Sequence, residues 1–500
     1  MKFPQCLLIA ATSLTLSAGS AFCQGPPAYL DLIFNNSSSF NGSSPAEDIY
    51  IYFSNGGGAT LKDIDITYNG GTGLTYGTFL QNNNTLYNDL SNGIRLADVT
   101  SGTFRVTTAS SVAVYLTYGN QFTSLAAAPG FFTNSAGGLN VFQNFEITRT
   151  GGNGDQGNLT NINYFAAPLS ITSYAGTTQL QQTQFNKTTS QIYSALEAIS
   201  PTSKIVDTNG TTLRFVGPST YPPALVPPFQ SFIPYMEAAN TSGISNIIQK
   251  SNAFNSTDGT TNYDFTLNLT TSFTEDGGGN PTALVLNGNI STAIKDNSNG
   301  NTKAGPTFLD SSVTISMTNV DNFNAIIYGQ AFGQYLSDVT FGAGWTSLQN
   351  FVNDPTNGIT TSGAFNTTQN LAIGEITSAI LMGFLANTTI VNGTPLNTMP
   401  SEDWWIIDPL QAFSEVQSNA DFYNQWGNEI YDASTNGSYS IPYADRLGTG
   451  PLVNSVFFNN QFVTSWEVGI FDPVSVVPEP TTVGMLALGV AGMLLARRKR

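Results

Sequence analysis

From Ile49 to Tyr118 apolar and polar positions alternate in runs such as Ile49-Tyr50-Ile51-Tyr52-Phe53, Asp63-Ile64-Asp65-Ile66-Thr67-Tyr68 and Val112-Ala113-Val114-Tyr115-Leu116-Thr117-Tyr118, broken by Gly- and Asn-rich stretches. Successive side chains of an extended strand point to opposite faces, so a period of two predicts half-buried strands joined by turns. After residue 190 the period lengthens. Ile192, Leu196 and Ile199 share one face of a short helix that Ser200-Pro201 stops, and Ile373, Ile376, Ile380 and Phe384 predict a second helix over Leu371 to Ala386. Glu375, Thr377 and Ser378 make the latter a core-packed helix and not a membrane span. Between the helices alternation returns in Tyr263 to Leu269 and Val313 to Met317, a β-rich insert near 255–330.

Strands, then helices, then strands again predict an α+β, β-rich chain. About 450 residues between the two termini exceed one small sandwich and predict two packed lobes. The first, 24–182, is a β-sandwich or barrel. The second, 183–472, is mixed α/β, carries the insert, and sends its last strands back to the β lobe.

Both termini read as addresses. Residues 1–23 combine Lys2, an apolar run from Cys6 to Ala18 and the small residues Gly19 and Ala21, which predicts a signal peptide cut after Ala21 or shortly beyond. Over 473–500, Val477-Pro478-Glu479-Pro480 precedes fourteen apolar or small residues, Val483 to Ala496, and then Arg497-Arg498-Lys499-Arg500. Fourteen helical residues cover about 21 Å, short of a hydrocarbon core of roughly 30 Å. This order of parts resembles the PEP-CTERM sorting signal, which implies a transient hold in the membrane, a membrane-embedded sorting enzyme as partner, and an exported product in the cell envelope or outside the cell.

Composition narrows the chemistry. The chain has no His, and its 2 Cys, Cys6 and Cys23, lie in or beside the signal peptide. Disulfides, thiol nucleophiles, Cys/His zinc sites and Ser-His-Asp triads are thereby disfavoured, and no metal or cofactor is expected. The formal net charge is −17, and four of the 16 basic residues are the last four of the chain, so the remainder is more acidic still. Nucleic acid, which demands a basic face, is not an expected partner. A monomer is expected.

Candidate chemistry sits at the end of the β lobe. Phe145-Glu146-Ile147-Thr148 is followed, seventeen residues after Glu146, by Asn163 within Asn158-Leu159-Thr160-Asn161-Ile162-Asn163-Tyr164-Phe165-Ala166-Ala167-Pro168-Leu169. This segment resembles the active-site region of family 64 glycoside hydrolases, β-1,3-glucanases of thaumatin-like architecture, where F-E-F-T precedes N-I-S-Y-V-D-F-V-G-L-P-L. Later stretches are similar to that family too: Ala379 to Asn387, Phe422 to Trp426, and Tyr439-Ser440-Ile441-Pro442-Tyr443-Ala444-Asp445. The resemblance covers about residues 28–473 and implies a β lobe facing an α/β lobe across a wide groove that takes a β-1,3-glucan-like polysaccharide.

By the same resemblance Glu146 is the general acid and Asn163 stands where the family carries its general-base aspartate. Inverting hydrolysis needs one protonated carboxyl and one ionised carboxylate flanking the bond. An amide is no ordinary base, so binding is expected to outlast turnover. Thr148, two residues from Glu146 and on the same face of a strand, is a candidate sugar contact. Asp155, on Gly151-Gly152-Asn153-Gly154-Asp155-Gln156-Gly157, is the carboxylate within this segment that could replace the base, although such loops commonly carry Asp for turn chemistry. In the far lobe Trp405 and Tyr443 are candidates for stacking on sugar rings, and Asp445 keeps the second of two family aspartates while Ala444 replaces the first. A structural envelope or matrix protein without a glycan site is the alternative reading.

Overall fold

The computed structural model describes residues 27–42, 48–54, 64–70, 77–80, 93–122, 130–132, 138–151, 155–221, 228–275, 281–296, 298–305, 307–317, 323–329, 339–359, 364–407, 423–435, 438–441, 454–455, 457–458 and 461–473. Both terminal addressing segments, and with them Cys6 and Cys23, lie outside these residues.

The period-two stretches form strands. β1 (Leu30–Asn36), β2 (Ile49–Ser54), β3 (Ile64–Gly70), β4 (Gly77–Leu80), β5 (Ile94–Arg95), β6 (Val99–Tyr118), β7 (Val141–Arg149), β8 (Gln156–Leu159), β10 (Leu169–Ala175) and β11 (Thr178–Phe185) join in the sheet of the first lobe, while β9 (Tyr164–Phe165) pairs outside it with Thr212–Val216. The late strand Ser465–Ile470 lies inside the same sheet, parallel to β1 and antiparallel to β10.

β6 makes this sheet a sandwich. Its first half pairs with β1 and β3, its second half with β2 and β7, and the register shifts between Ala109 and Val112. Ser111 takes φ 46° at that corner, a left-handed conformation uncommon outside glycine, and its N–H is answered by Thr148 Oγ1 at 3.2 Å. The two layers meet over a core in which Phe34 of β1 contacts Phe145 of β7, ring centroids 6.1 Å apart, and Phe53 of β2 contacts Phe104 of β6 at 5.3 Å. All four rings are buried, each burial contributing roughly 2–3 kcal/mol.

The second lobe starts with α1 (Thr189–Ile199), opened by a reciprocal cap between Thr188 and Gln191. After β12 (Lys204–Val206), β13 (Thr212–Val216) and α2 (Ile233–Ser242), an antiparallel meander follows: β14 (Ser245–Asn255), β15 (Thr261–Glu275), β16 (Pro281–Asp296), β17 (Leu309–Met317) and β18 (Val339–Phe341). The insert thus begins before residue 255 and ends after 330, because the edge pairings extend the regular strands in both directions. α3 (Phe323–Gly329), α4 (Ala343–Asn353) and α5 (Ala364–Leu381) complete the layer, and Trp345, Leu348, Ile373, Ile376 and Ile380 share a core with Phe265, Leu267, Leu286 and Ile315.

α5 differs from the predicted Leu371–Ala386. It starts seven residues earlier and stops at Leu381, since Gly383 turns left-handed at φ 69° and Phe384 N–H bonds back to Ala379 O at 2.7 Å. Phe384 still reaches the core, edge-on to Trp404. α6 (Gln425–Asp432) closes the lobe, its start capped by Asn424 Oδ1 on Gly427 N–H.

Candidate functional site

Glu146 lies in the middle of β7, opposite Ala113 of β6 and Asn158 of β8. Alternation puts Phe142, Asn144, Glu146 and Thr148 on one face and Phe145, Ile147 and Arg149 on the other. Glu146 and Thr148 are half-buried, so the expected pair does share a face. Tyr115, cross-strand from Asn144, is a diagonal neighbour of Glu146 on that face. Burial above all, and the carboxylate of Glu146 next, push its hydroxyl well above the usual phenol range.

Beyond Asn144 the face is closed. Tyr50, Tyr52, Tyr115, Phe122, Phe142 and Tyr164 pack into a small core of their own. Arg214 of β13 lies 4.8 Å above the Phe142 ring and donates to the carbonyls of Phe131, Gly138 and Asn140, at 2.8, 3.2 and 2.8 Å. It is fully buried, and burial brings its guanidinium down to about 10. These contacts fix the stretch before β7, and the polar neighbours of Glu146 at the other end of the face are Thr148, Gln156 and Asn158.

Asn163 sits on a bend before β9 and is exposed. Its side-chain oxygen accepts from Ser219 Oγ at 3.0 Å, and its carbonyl accepts from Gly217 N–H at 2.7 Å. Gly217 is required there, because a Cβ would stand 2.3 Å from the Ile162 carbonyl. Flanking residues clamp the bend from both lobes. Asn161 N–H donates to Tyr439 O at 2.7 Å, Trp426 Nε1 donates to Asn161 O at 2.9 Å, and Tyr164 donates its hydroxyl to Asn144 Oδ1 at 2.6 Å.

Asp155 is corrected by its contacts. It is buried and paired with Arg149 at 3.0 Å, while Thr150 N–H, Thr150 Oγ1 and Gly151 N–H donate to its two oxygens at 2.7 Å each. Arg149 also donates to Pro27 O. A carboxylate with so many donors serves the turn and the ion pair, not a water molecule or a sugar.

Far-lobe candidates divide. Trp404, Trp426 and Tyr439 are buried, the first and third in the second lobe's core. Trp405 belongs to a short 3-10 helix, Ser401–Ile406, but its side chain lies outside the described residues, as do Tyr443, Ala444 and Asp445 altogether. Glu402 pairs with Lys250 at 3.8 Å. Beneath it Glu375 is buried and held by Ser401 Oγ; burial chiefly pushes its carboxyl up to about 8, against the pull of that hydrogen bond.

Asn144, Asn158 and Tyr115 were not singled out from the sequence. The signal was present in the register, since residues opposite or diagonal to Glu146 follow once β6, β7 and β8 are aligned. Among the described residues no group of three His, Cys, Asp or Glu side chains could hold a metal ion. None of the described helices is long and apolar enough to cross a membrane.

Beyond Pro473 the order of residues decides what the tail is. Residues 476–500 match the PEP-CTERM protein-sorting motif. A PEP-CTERM segment implies export and association with the cell envelope. No curated protein matches the chain. Among solved structures, a laminaripentaose-producing β-1,3-glucanase in complex with laminaritetraose aligns over 89% of this chain and 99% of its own, at 14% identity and a TM-score of 0.46. A family 64 β-1,3-glucanase domain from Clostridium beijerinckii aligns over 90% of this chain and 100% of its own, at 12% identity and a TM-score of 0.45. The laminaripentaose-producing family 64 enzyme from Paenibacillus barengoltzii, complexed with laminarihexaose, aligns over 90% and 76%, at 11% identity and a TM-score of 0.40.

Proposed function

We propose that this chain is an exported, glucanase-like protein that binds β-1,3-glucan or a related polysaccharide at the Glu146 end of the β7–β8 face. Glu146 is the acid and Thr148 a sugar contact, with Trp405, Tyr443 and Asp445 contributing from the far lobe. Inverting endo-hydrolysis is weakened because Asn163 stands at the base position. Loss of a general base costs about 3–5 kcal/mol of barrier, a factor of 10²–10⁴. The observation that carries the reading is that Glu146 and Thr148 are presented together on one half-buried face, while Tyr164, beside Asn163, is tied to Asn144, two residues before Glu146.

One observation favours a purely structural role on the same scaffold. Trp404, Trp426 and Tyr439 are all buried, so these three aromatics form no stacking platform.

One experiment separates the readings. Residues 24–480 are incubated with laminarin, scoring pull-down and reducing ends together, beside Glu146→Gln and Asn163→Asp. Binding without cleavage, with cleavage gained in Asn163→Asp, supports a degenerate glucanase. Native cleavage abolished by Glu146→Gln makes it an enzyme with an unconventional base. Neither binding nor cleavage by any form leaves the structural role.

A further inference from the structure

The strand Ser465–Ile470 runs through the middle of the first sheet, and the sorting motif begins six residues after it ends. The chain stays fixed beyond the strand. Ser37 N–H donates to Ile470 O at 2.9 Å, Ser39 N–H and Oγ donate to Asp472 Oδ1 at 2.6 and 2.7 Å, Thr189 Oγ1 donates to Asp472 O at 2.6 Å, and Pro473 is buried. Nine residues, 474–482, separate this last anchored point from the apolar run that starts at Val483. Fully extended they span at most about 30 Å. A compact body of this length is roughly 55–60 Å across. While the apolar run is held in a membrane, only one end of the body can therefore reach the surface.

We propose that the end of the sandwich formed by the turn after β1 (Asn36 to Asn41), Phe471 to Pro473 and the start of α1 is the face that the body turns toward the membrane before the tail is cut. Its composition suits a lipid headgroup layer. Exposed residues there are Ser37, Ser39, Asn41, Thr188 and Ser190, with the partly exposed ring of Phe471 beside the exit. The acids near it are engaged: Asp472 accepts from Ser39, Glu467 from Asn35 Nδ2 at 3.1 Å, and Glu429 and Asp432 pair with Lys187, one residue before Thr188, at 3.1 and 2.5 Å. An otherwise strongly acidic chain thus approaches the surface with hydroxyl and amide groups, avoiding repulsion from anionic headgroups.

Topology sets Arg149 and Pro27 at the opposite end, with Glu146 midway along β7. β1 begins beside Val106, near the corner of β6, and Arg149, three residues after Glu146, donates to Pro27 O just before that start. This placement rests on the sorting motif and the strand order and is independent of the glucan reading.

The test uses residues 24–500, which contain no Cys, inserted through the uncut tail into vesicles of phosphatidylethanolamine and phosphatidylglycerol. A fluorophore is placed at Ser37→Cys or Thr188→Cys on the proposed face, or at Thr177→Cys in the turn between β10 and β11 at the far end. Headgroup spin-labelled lipid should quench the first two severalfold more than the third, and a long Gly-Ser insert after Ser475 should erase the difference. Equal quenching at all three sites, stronger quenching at Thr177→Cys, or a difference that survives the insert would overturn the proposal.

Discussion

The hydroxyl of Tyr164 donates to Asn144 Oδ1 at 2.6 Å, joining the segment that carries Asn163 to the strand that carries Glu146. Tyr164 is buried against Phe142 and Phe131, so its hydroxyl has no easy recourse to water. Tyr164→Phe should cost about 1 kcal/mol in urea unfolding, and a double-mutant cycle with Asn144→Ala should return a coupling of similar size. Additive losses would show that the bond does not hold the two segments together.

Asp155 should behave as a structural residue. Asp155→Ala strands a buried Arg149 and should destabilise the fold by about 3–5 kcal/mol. Any laminarin binding should decline in proportion to the folded fraction. A stable Asp155→Ala protein with altered glycan handling would return Asp155 to the site.

Glu375 should impose a pH dependence. Its folded carboxyl titrates near 8 against an ordinary 4.5, so below the ordinary value both states hold the proton. Between these values the folded state keeps a proton that the unfolded chain has released, and stability falls by up to about 1.4 kcal/mol per pH unit, levelling off above the folded value. Glu375→Gln should remove this slope while keeping an amide beside Ser401. Urea midpoints of the two proteins at pH 5 and at pH 8, both roughly bracketing the window, should diverge toward the alkaline side. Parallel profiles would place the titration elsewhere.

The late strand should be indispensable to the first lobe although it is made last. Chains ending at Pro473 should fold with cooperative thermal unfolding. Chains ending at Thr464 should not, because β1 and β10 each lose one of their two partners, which splits the sheet between them, and the buried Trp466, Val468 and Ile470 leave the core. Near-ultraviolet circular dichroism distinguishes the outcomes, and a cooperative transition in the shorter chain would contradict the central placement.

Short-range pattern was enough to identify Ile49 to Phe53 and Val112 to Tyr118 as strands and a short helix through Ile192, Leu196 and Ile199, because alternation and helical period are local properties. It also put Glu146 and Thr148 on one face. What pattern alone could not supply was the company each residue keeps across the fold. Asp155 looked like a free loop carboxylate until strand pairing brought it to Arg149, and nothing in the local pattern marked Trp404 and Tyr439 as core residues of the far lobe. Their burial depends on contacts far apart in the chain. The sequence by itself determined the alternation of strands and helices, the PEP-CTERM address and the presence of Glu146 with an amide seventeen residues downstream. Tertiary structure alone decided that Tyr115 and Asn158 lie across from Glu146, that Asp155 is spent on an ion pair, and that the strand nearest the sorting tail is central, since each depends on register between distant segments and not on local period.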